Sequence, residues 1–200
     1  MSLNCYLLYK YQRLRILQYR FFSECKNIQG KPVIRQPVQF NGKGTIRFKG
    51  TVNLGYYPSG SFLNGYIYLE ARSAESVIEM GDGVWINNGT AIVSEGPGIF
   101  IGARTTFGIN CQVVDSDFHD MHPDRRMTGV SKTAKVVIGE NVFIASNVTI
   151  LKGVQIGNNS VIGNGSVVTR SVPENVVVFG NPAKIVQRIE GTSAEVPVEG

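Results

Sequence analysis

The sequence predicts an all-β solenoid, a parallel β-helix with three flat faces, and three observations carry that reading. An aliphatic side chain returns every six residues at Ile138, Ile144, Ile150, Ile156, Ile162 and Val168. Glycine or alanine follows it at Gly139, Ala145, Gly157 and Gly163, and four places after the aliphatic stands a small or β-branched residue: Val142, Val148, Val154, Ser160, Ser166 and Val172. The chain also holds 23 glycines against 8 prolines in 200 residues, which suits many tight corners rather than a low-complexity tract. One short strand per face, stacked about 4.8 Å from the next turn, would bury a continuous apolar column. The β-branched density and the glycines exclude a helix there.

The elements follow in chain order. Residues 1–39 read as a basic amphipathic arm: residues 1–50 carry ten Lys/Arg against the single acid Glu24, a balance of +9, whereas the other 150 residues come to −4. Leu7, Leu8, Tyr11, Leu14 and Ile16 or Leu17, interleaved with arginines, predict one amphipathic helix. It either caps the open first coil, whose apolar column and strand edges would otherwise be bare, or makes a peripheral membrane contact through residues 1–22. The solenoid is expected over 40–173. Its phase runs upstream through Met80, Ile86, Ile92 and, after a three-residue insertion, Ile101, Phe107 and Val113. More weakly it reaches Phe62, Tyr68, Ala74 and Phe40, Ile46, Val52, six units of about eighteen residues in all. Two segments interrupt it, the turn-rich 56–65 and the long polar loop 115–135, and a long excursion from a regular scaffold is usually functional. Residues 174–190 are expected to end in a short helix over 181–190, with Asn181 as N-cap and Pro182 in the first turn. Residues 191–200 read as a flexible tail.

The stretch VVIGENVFIASNVTILKGVQIGNNSVIGNGSVVTRSVPENVVVFGNPAKIV resembles the acetyl-coenzyme A half of the hexapeptide-repeat acyltransferases, the family of galactoside, maltose and serine O-acetyltransferases. The likeness covers roughly residues 40–190, and the subgroup most similar by eye is the cell-envelope polysaccharide O-acetyltransferases. It implies a left-handed coil, acetyl-CoA as co-substrate, no metal, a sugar or glycan hydroxyl as acceptor, and a homotrimer with sites between parallel prisms.

Carried over residue by residue, the resemblance makes His119, in DSDFH, the general base that removes the hydroxyl proton; imidazole titrates near neutral pH and suits that task. Asp115 and Asp117 are expected to orient its ring and stabilise imidazolium. His122 is the fallback base, although Pro123 restricts its backbone to extended conformations and predicts a structural turn. Asn87 and Glu95 match positions that contact the acceptor sugar, and Trp85 offers a face for stacking. Ser146 would present its backbone amide to the thioester carbonyl. Asn164, Thr169 and Arg170 would line the pantetheine arm, and Lys184 is a candidate phosphate contact. Relatives usually carry Ala in place of Asn164 and Lys in place of Arg170. Each of these residues has a plainer reading as loop solvation, corner filling or solenoid decoration.

Composition and spacing bear on the rival functions. A zinc carbonic anhydrase of this shape needs three histidine ligands per site, and the chain has two histidines. An ice-binding prism would show regular Thr faces and no charged loop. N-acetylation of an amino sugar or aminated nucleotide-sugar is the enzymatic alternative, and a scaffold that binds a partner through its basic arm is the non-enzymatic one. Nucleic acid is not expected, since the arm lacks a binding motif. Cys5, Cys25 and Cys111 form no CxxC pair, and the opening residues lack the apolar stretch of a signal peptide, so a cytoplasmic setting is expected.

Overall fold

The computed structural model describes residues 3–190. After a helix, α1 (Leu3–Phe21), the chain winds through six coils of three strands each. The first holds β1 (Asn27–Gln29), β2 (Val33–Ile34) and β3 (Val38–Asn41). The second holds β4 (Thr45–Phe48), β5 (Asn53–Leu54) and β6 (Ile67–Ala71), and the third β7 (Val77–Met80), β8 (Trp85–Ile86) and β9 (Ala91–Ser94). The fourth comprises β10 (Ile99–Ile101), β11 (Thr106–Phe107) and β12 (Gln112–Val114). The fifth comprises β13 (Val136–Ile138), β14 (Phe143–Ile144) and β15 (Thr149–Ile150), and the sixth β16 (Gln155–Ile156), β17 (Val161–Ile162) and β18 (Val167–Val168). Each strand pairs in parallel with its counterpart one coil away. The first face is β1-β4-β7-β10-β13-β16, the third is β3-β6-β9-β12-β15-β18, and the second, β2-β5-β8-β11-β14-β17, is extended by β19 (Val176–Phe179) and β20 (Lys184–Arg188).

Register turns the six-residue repeat into columns. Phe40, Leu69, Ile92, Val113, Ile150 and Val168 stack on the third face, and Met80, Ile101, Ile138 and Ile156 on the first. Ile144 and Ile150 are fully buried, so truncation of either to Ala costs about 2–5 kcal/mol in lost transfer energy and residual cavity. The corners carry residues that tolerate a left-handed backbone. Asn141, Asn159 and Asn175 (φ 55°, 59° and 60°) form one such corner ladder, in which each side-chain amide donates to the next carbonyl oxygen at 3.0 Å.

The upstream phase departs from expectation. Ile46 and Val52 are buried, but Phe48 and Leu54 are the residues stacked in the columns of Met80 and Ile86. Tyr68 points outward while Ile67, Leu69 and Ala71 point in, Ala74 is exposed, and Phe62 lies in the 56–65 excursion outside any strand. That excursion does not contain a whole number of hexads, and a slip of one residue reverses which side chains face the core. The coil also starts earlier than residue 40, at Asn27, so the boundary expected there falls inside β3.

The helix expected over 181–190 is a strand. β20 pairs antiparallel with β19 (Val176 with Arg188, Phe179 with Lys184) and covers the outer edge of β19, which itself pairs in parallel with β17 of the last coil. Ile185 packs on the core. The Asn-Pro start signal is local, whereas the sheet edge and the β-branched Ile185 and Val186 offer tertiary pairing that outweighs it. The tail expected over 191–200 lies outside the described residues.

The helix expected in the arm is α1, and its inner face docks on the first two coils. Buried Gln12 donates to the Phe62 carbonyl at 2.6 Å, Arg15 donates to the Gly65 carbonyl at 2.7 Å, and the rings of Tyr19 and Tyr66 lie 4.9 Å apart.

Candidate active site

The 115–135 excursion leaves the corner between the third and first faces, directly after β12. Its base is zipped shut: Ala134 N–H donates to the Asp115 carbonyl (2.9 Å), Asp117 N–H donates to the Lys132 carbonyl (3.0 Å), and Ser116 bridges Thr133. Ser116 Oγ accepts from the Phe118 amide at 2.8 Å, and Phe118 takes a left-handed backbone (φ 61°) with its ring under the Arg72 guanidinium. That turn lifts His119 into solvent. Its Nδ1 lies 3.1 Å from the Arg126 carbonyl oxygen. A carbonyl only accepts, so Nδ1 carries the proton in the neutral ring and Nε2 holds the free lone pair.

The orienting role expected of Asp115 and Asp117 is corrected by this geometry. Asp115 is fully buried: its carboxylate accepts from Ser94 Oγ (2.7 Å) and from the amides of Glu95 (2.8 Å), Gly96 and Gly98 (3.0 Å), so it clamps the neighbouring corner. Alternation explains it, because residue 115 lies two places after the inward Val113, as Ser94 lies two after Ile92. Asp117 pairs with Lys152 at 2.9 Å and ties the excursion to the fifth coil. The group that positions the His119 ring is the backbone of Arg126.

His122 occupies the expected structural turn. With φ −73° and ψ 128° it caps a short 3-10 turn, Pro123–Arg125, and its Nδ1 accepts from the Asp124 amide at 3.3 Å. Beside it the Asp120 carboxyl is held below its ordinary value, first by the His122 amide and then by Arg125.

Glu95 lies beneath the loop on the same corner. Its carboxylate accepts from Ser131 Oγ at 2.9 Å and closely from Ser116 Oγ, with Arg72 at 3.7 Å. Burial pushes its carboxyl up, but the two hydroxyls and the guanidinium outweigh that and hold it below the ordinary carboxylate range. Arg72 also bonds Glu70 at 2.9 Å. Arg72, Ser116 and Ser131 were missed from sequence. For two of them the signal was present: Arg72, Glu95 and Ser116 each stand three places after an inward aliphatic of the third face, Leu69, Ile92 and Val113.

Five of the remaining candidates divide between two corners, and Trp85 and Lys184 lie in strands off both. Asn87, Ser146 and Asn164 occupy the corner between the second and third faces. There Asn87 Oδ1 accepts from the Asn88 amide (2.7 Å), Ser146 Oγ accepts from the Ile109 amide (3.2 Å), and Asn147 donates to Asn164 at 3.5 Å. Gly108 packs so closely below that a Cβ on it would sit 2.6 Å from the Ser146 amide nitrogen. Thr169 and Arg170, exposed, occupy the other corner with Glu95 and the His119 loop, so the single edge expected for Asn164, Thr169 and Arg170 is in fact two. Lys184 is exposed on β20. Trp85 lies on the second face, its ring 5.7 Å from Tyr56 and 5.1 Å from the Arg35 guanidinium. Buried Asn88, also missed, pins the 56–65 excursion through the carbonyls of Tyr56 (3.0 Å) and Gly60 (2.9 Å). A single chain therefore leaves the corner candidates on opposite edges of its third face.

Residues 135–170 match the family described as bacterial transferase hexapeptide (six repeats). The chain is 40% identical over 112 residues to the galactoside O-acetyltransferase of Lactococcus lactis subsp. lactis, covering 56% of this chain and 53% of the relative. It spans little more than half the length of the curated relatives it matches. Among solved structures, its fold is shared with a hexapeptide-repeat-containing acetyltransferase from Vibrio cholerae (TM-score 0.54, 23% identity, 90% of this chain and 81% of that one). It is shared too with AntD, an N-acyltransferase from Bacillus cereus, in a complex with dTDP-4-amino-4,6-dideoxyglucose and coenzyme A (TM-score 0.60, 19% identity, 90% and 88%). With its six-residue repeat, its three-sided stack of parallel strands and these likenesses, the chain carries the bacterial transferase hexapeptide repeat over residues 135–170 within a left-handed parallel β-helix fold.

Proposed function

We propose that the protein is an acetyl-CoA-dependent O-acetyltransferase that acylates a hydroxyl of a sugar or glycan, with His119 as general base. The observation that carries this reading is the bond from His119 Nδ1 to the Arg126 carbonyl, which leaves Nε2 as an acceptor on an exposed loop. Nε2 takes the proton of the acceptor hydroxyl as its oxygen attacks the thioester carbonyl carbon. The tetrahedral intermediate collapses, the carbon–sulfur bond breaks, and the departing thiolate takes the proton back from the imidazolium. The products are an acetyl ester and free coenzyme A. The Ser146 amide faces the oxyanion, and Asn164, Thr169, Arg170 and Lys184 hold the donor. Asn87, Glu95 and Trp85 receive the acceptor.

The division of these residues between two corners supports a homotrimer, in which the Asn87–Ser146 corner of one prism meets the His119 corner of the next. Galactoside O-acetylation by the relative from Lactococcus lactis supports a hydroxyl acceptor, and coenzyme A in the AntD complex supports the donor.

The test is release of free thiol from acetyl-CoA with galactosides, envelope oligosaccharides and amino sugars as acceptors, with the product identified by mass spectrometry. An alkali-labile ester is the expected product. Transfer to amino sugars alone, as an alkali-stable amide, would replace this reading with N-acetylation. No thiol release and no acetyl-CoA binding would favour a scaffold.

A further inference from the structure

Docking uses only one side of α1. Leu8, Gln12, Ile16 and Tyr19 face the solenoid, whereas the opposite side leaves Leu7, Leu14, Leu17 and Phe21 in solvent, with Leu14 68% and Phe21 82% exposed. Leu7, Leu14 and Phe21 are spaced two turns apart, so they form one stripe along the helix. Along the flank between the two sides runs a groove of about 700 Å³, closed by Ile34, Tyr57 and Phe62 and lined by Arg13, Arg20 and Arg35 but by no acidic side chain. Among the described residues none of these three guanidiniums stands in an ion pair. Leu17 borders both groove and stripe. Lys10 adds a fourth cation, and the helix contains no acid.

We propose that this surface lays the protein on an anionic phospholipid bilayer. Leu7, Leu14, Leu17 and Phe21 enter the boundary between headgroups and acyl chains, and Arg13, Arg20 and Arg35 bind headgroup phosphates along the flanking groove. Apolar side chains on the face away from the body, cations beside them and no anion are what an interfacial helix requires. No helix among the described residues is long and apolar enough to cross a membrane, so α1 lies in the surface plane. Docking on the solenoid and membrane contact are here the work of opposite sides of one helix. Neither His119 nor either candidate corner takes part, whereas Arg35 also stacks on Trp85 and so adjoins the proposed acceptor surface.

Flotation of the full-length protein with vesicles of phosphatidylcholine, with and without phosphatidylglycerol, tests it. The expected result is co-flotation only with phosphatidylglycerol, weakened by salt, and lowered about fivefold for each arginine removed in Arg13→Gln, Arg20→Gln and Arg35→Gln. Leu14→Glu with Phe21→Glu should abolish it while circular dichroism and the thermal transition hold. If that pair does not fold, the arginine series decides. No flotation, or equal flotation on phosphatidylcholine alone, overturns the proposal. So does dissociation of an oligomer by Leu14→Glu, which would make the stripe a contact between copies.

Discussion

The Nδ1 atom of His119 lies 3.1 Å from the backbone carbonyl oxygen of Arg126, seven residues further along the same excursion. The loop thus fixes the imidazole tautomer with its own main chain, where a catalytic triad would use a carboxylate. The nearby acids are committed elsewhere, Asp115 to a buried corner and Asp117 to Lys152.

Asp115 is accordingly a stability residue. Asp115→Ala leaves Ser94 Oγ and the amides of Glu95, Gly96 and Gly98 without their acceptor, and each unsatisfied buried donor costs about 1–3 kcal/mol. Urea unfolding should show a loss of at least about 3 kcal/mol. A loss within experimental scatter would contradict the clamp.

Asn159 tests the corner ladder. Asn159→Ala places a Cβ residue without side-chain bonds at φ 59° and should cost about 1–2 kcal/mol for the backbone alone, with two hydrogen bonds lost in addition. Asn159→Gly loses the same bonds without the backbone cost, so its thermal transition should lie above that of the alanine variant. The reverse order would refute the ladder's conformational role.

Glu95 makes stability depend on pH. Its carboxyl is held below the ordinary value in the folded chain, so its contribution is complete above the unfolded-state pKa near 4.5 and is lost as pH falls through the lower folded value. The stability gap between wild type and Glu95→Gln, measured by urea unfolding, should be constant from neutral pH to about pH 5 and shrink below. A gap that widens on acidification would contradict the assignment.

Cys111 is buried, and burial pushes its thiol up to about 11. Peptide mapping after treatment with a maleimide at pH 8 should find it unlabelled in the native protein and labelled after unfolding. Rapid native labelling would contradict its place in the core.

The sequence made the coil legible wherever hexads ran unbroken, because Ile138 through Val168 stack as their spacing requires. It failed where an insertion of unknown length separated two hexads, since Tyr68 and Leu69 differ by one residue and only the core decides between them. β20 was hidden because its partner edge exists only after the solenoid has formed. In the site, the loop, its histidine and the turn at His122 could be read, whereas the Arg126 carbonyl could not, because backbone groups leave no mark in composition. Asp115 could have been placed by alternation from Val113.

The most direct test of the central claim compares His119→Ala with His122→Ala in parallel kinetics, with acetyl-CoA binding followed by calorimetry. His119→Ala should lose about 10²–10⁴-fold in turnover and keep its affinity for acetyl-CoA, and His122→Ala should stay within about tenfold of wild type. An active His119→Ala with an inactive His122→Ala would move the base to His122, and two active variants would contradict a histidine base altogether.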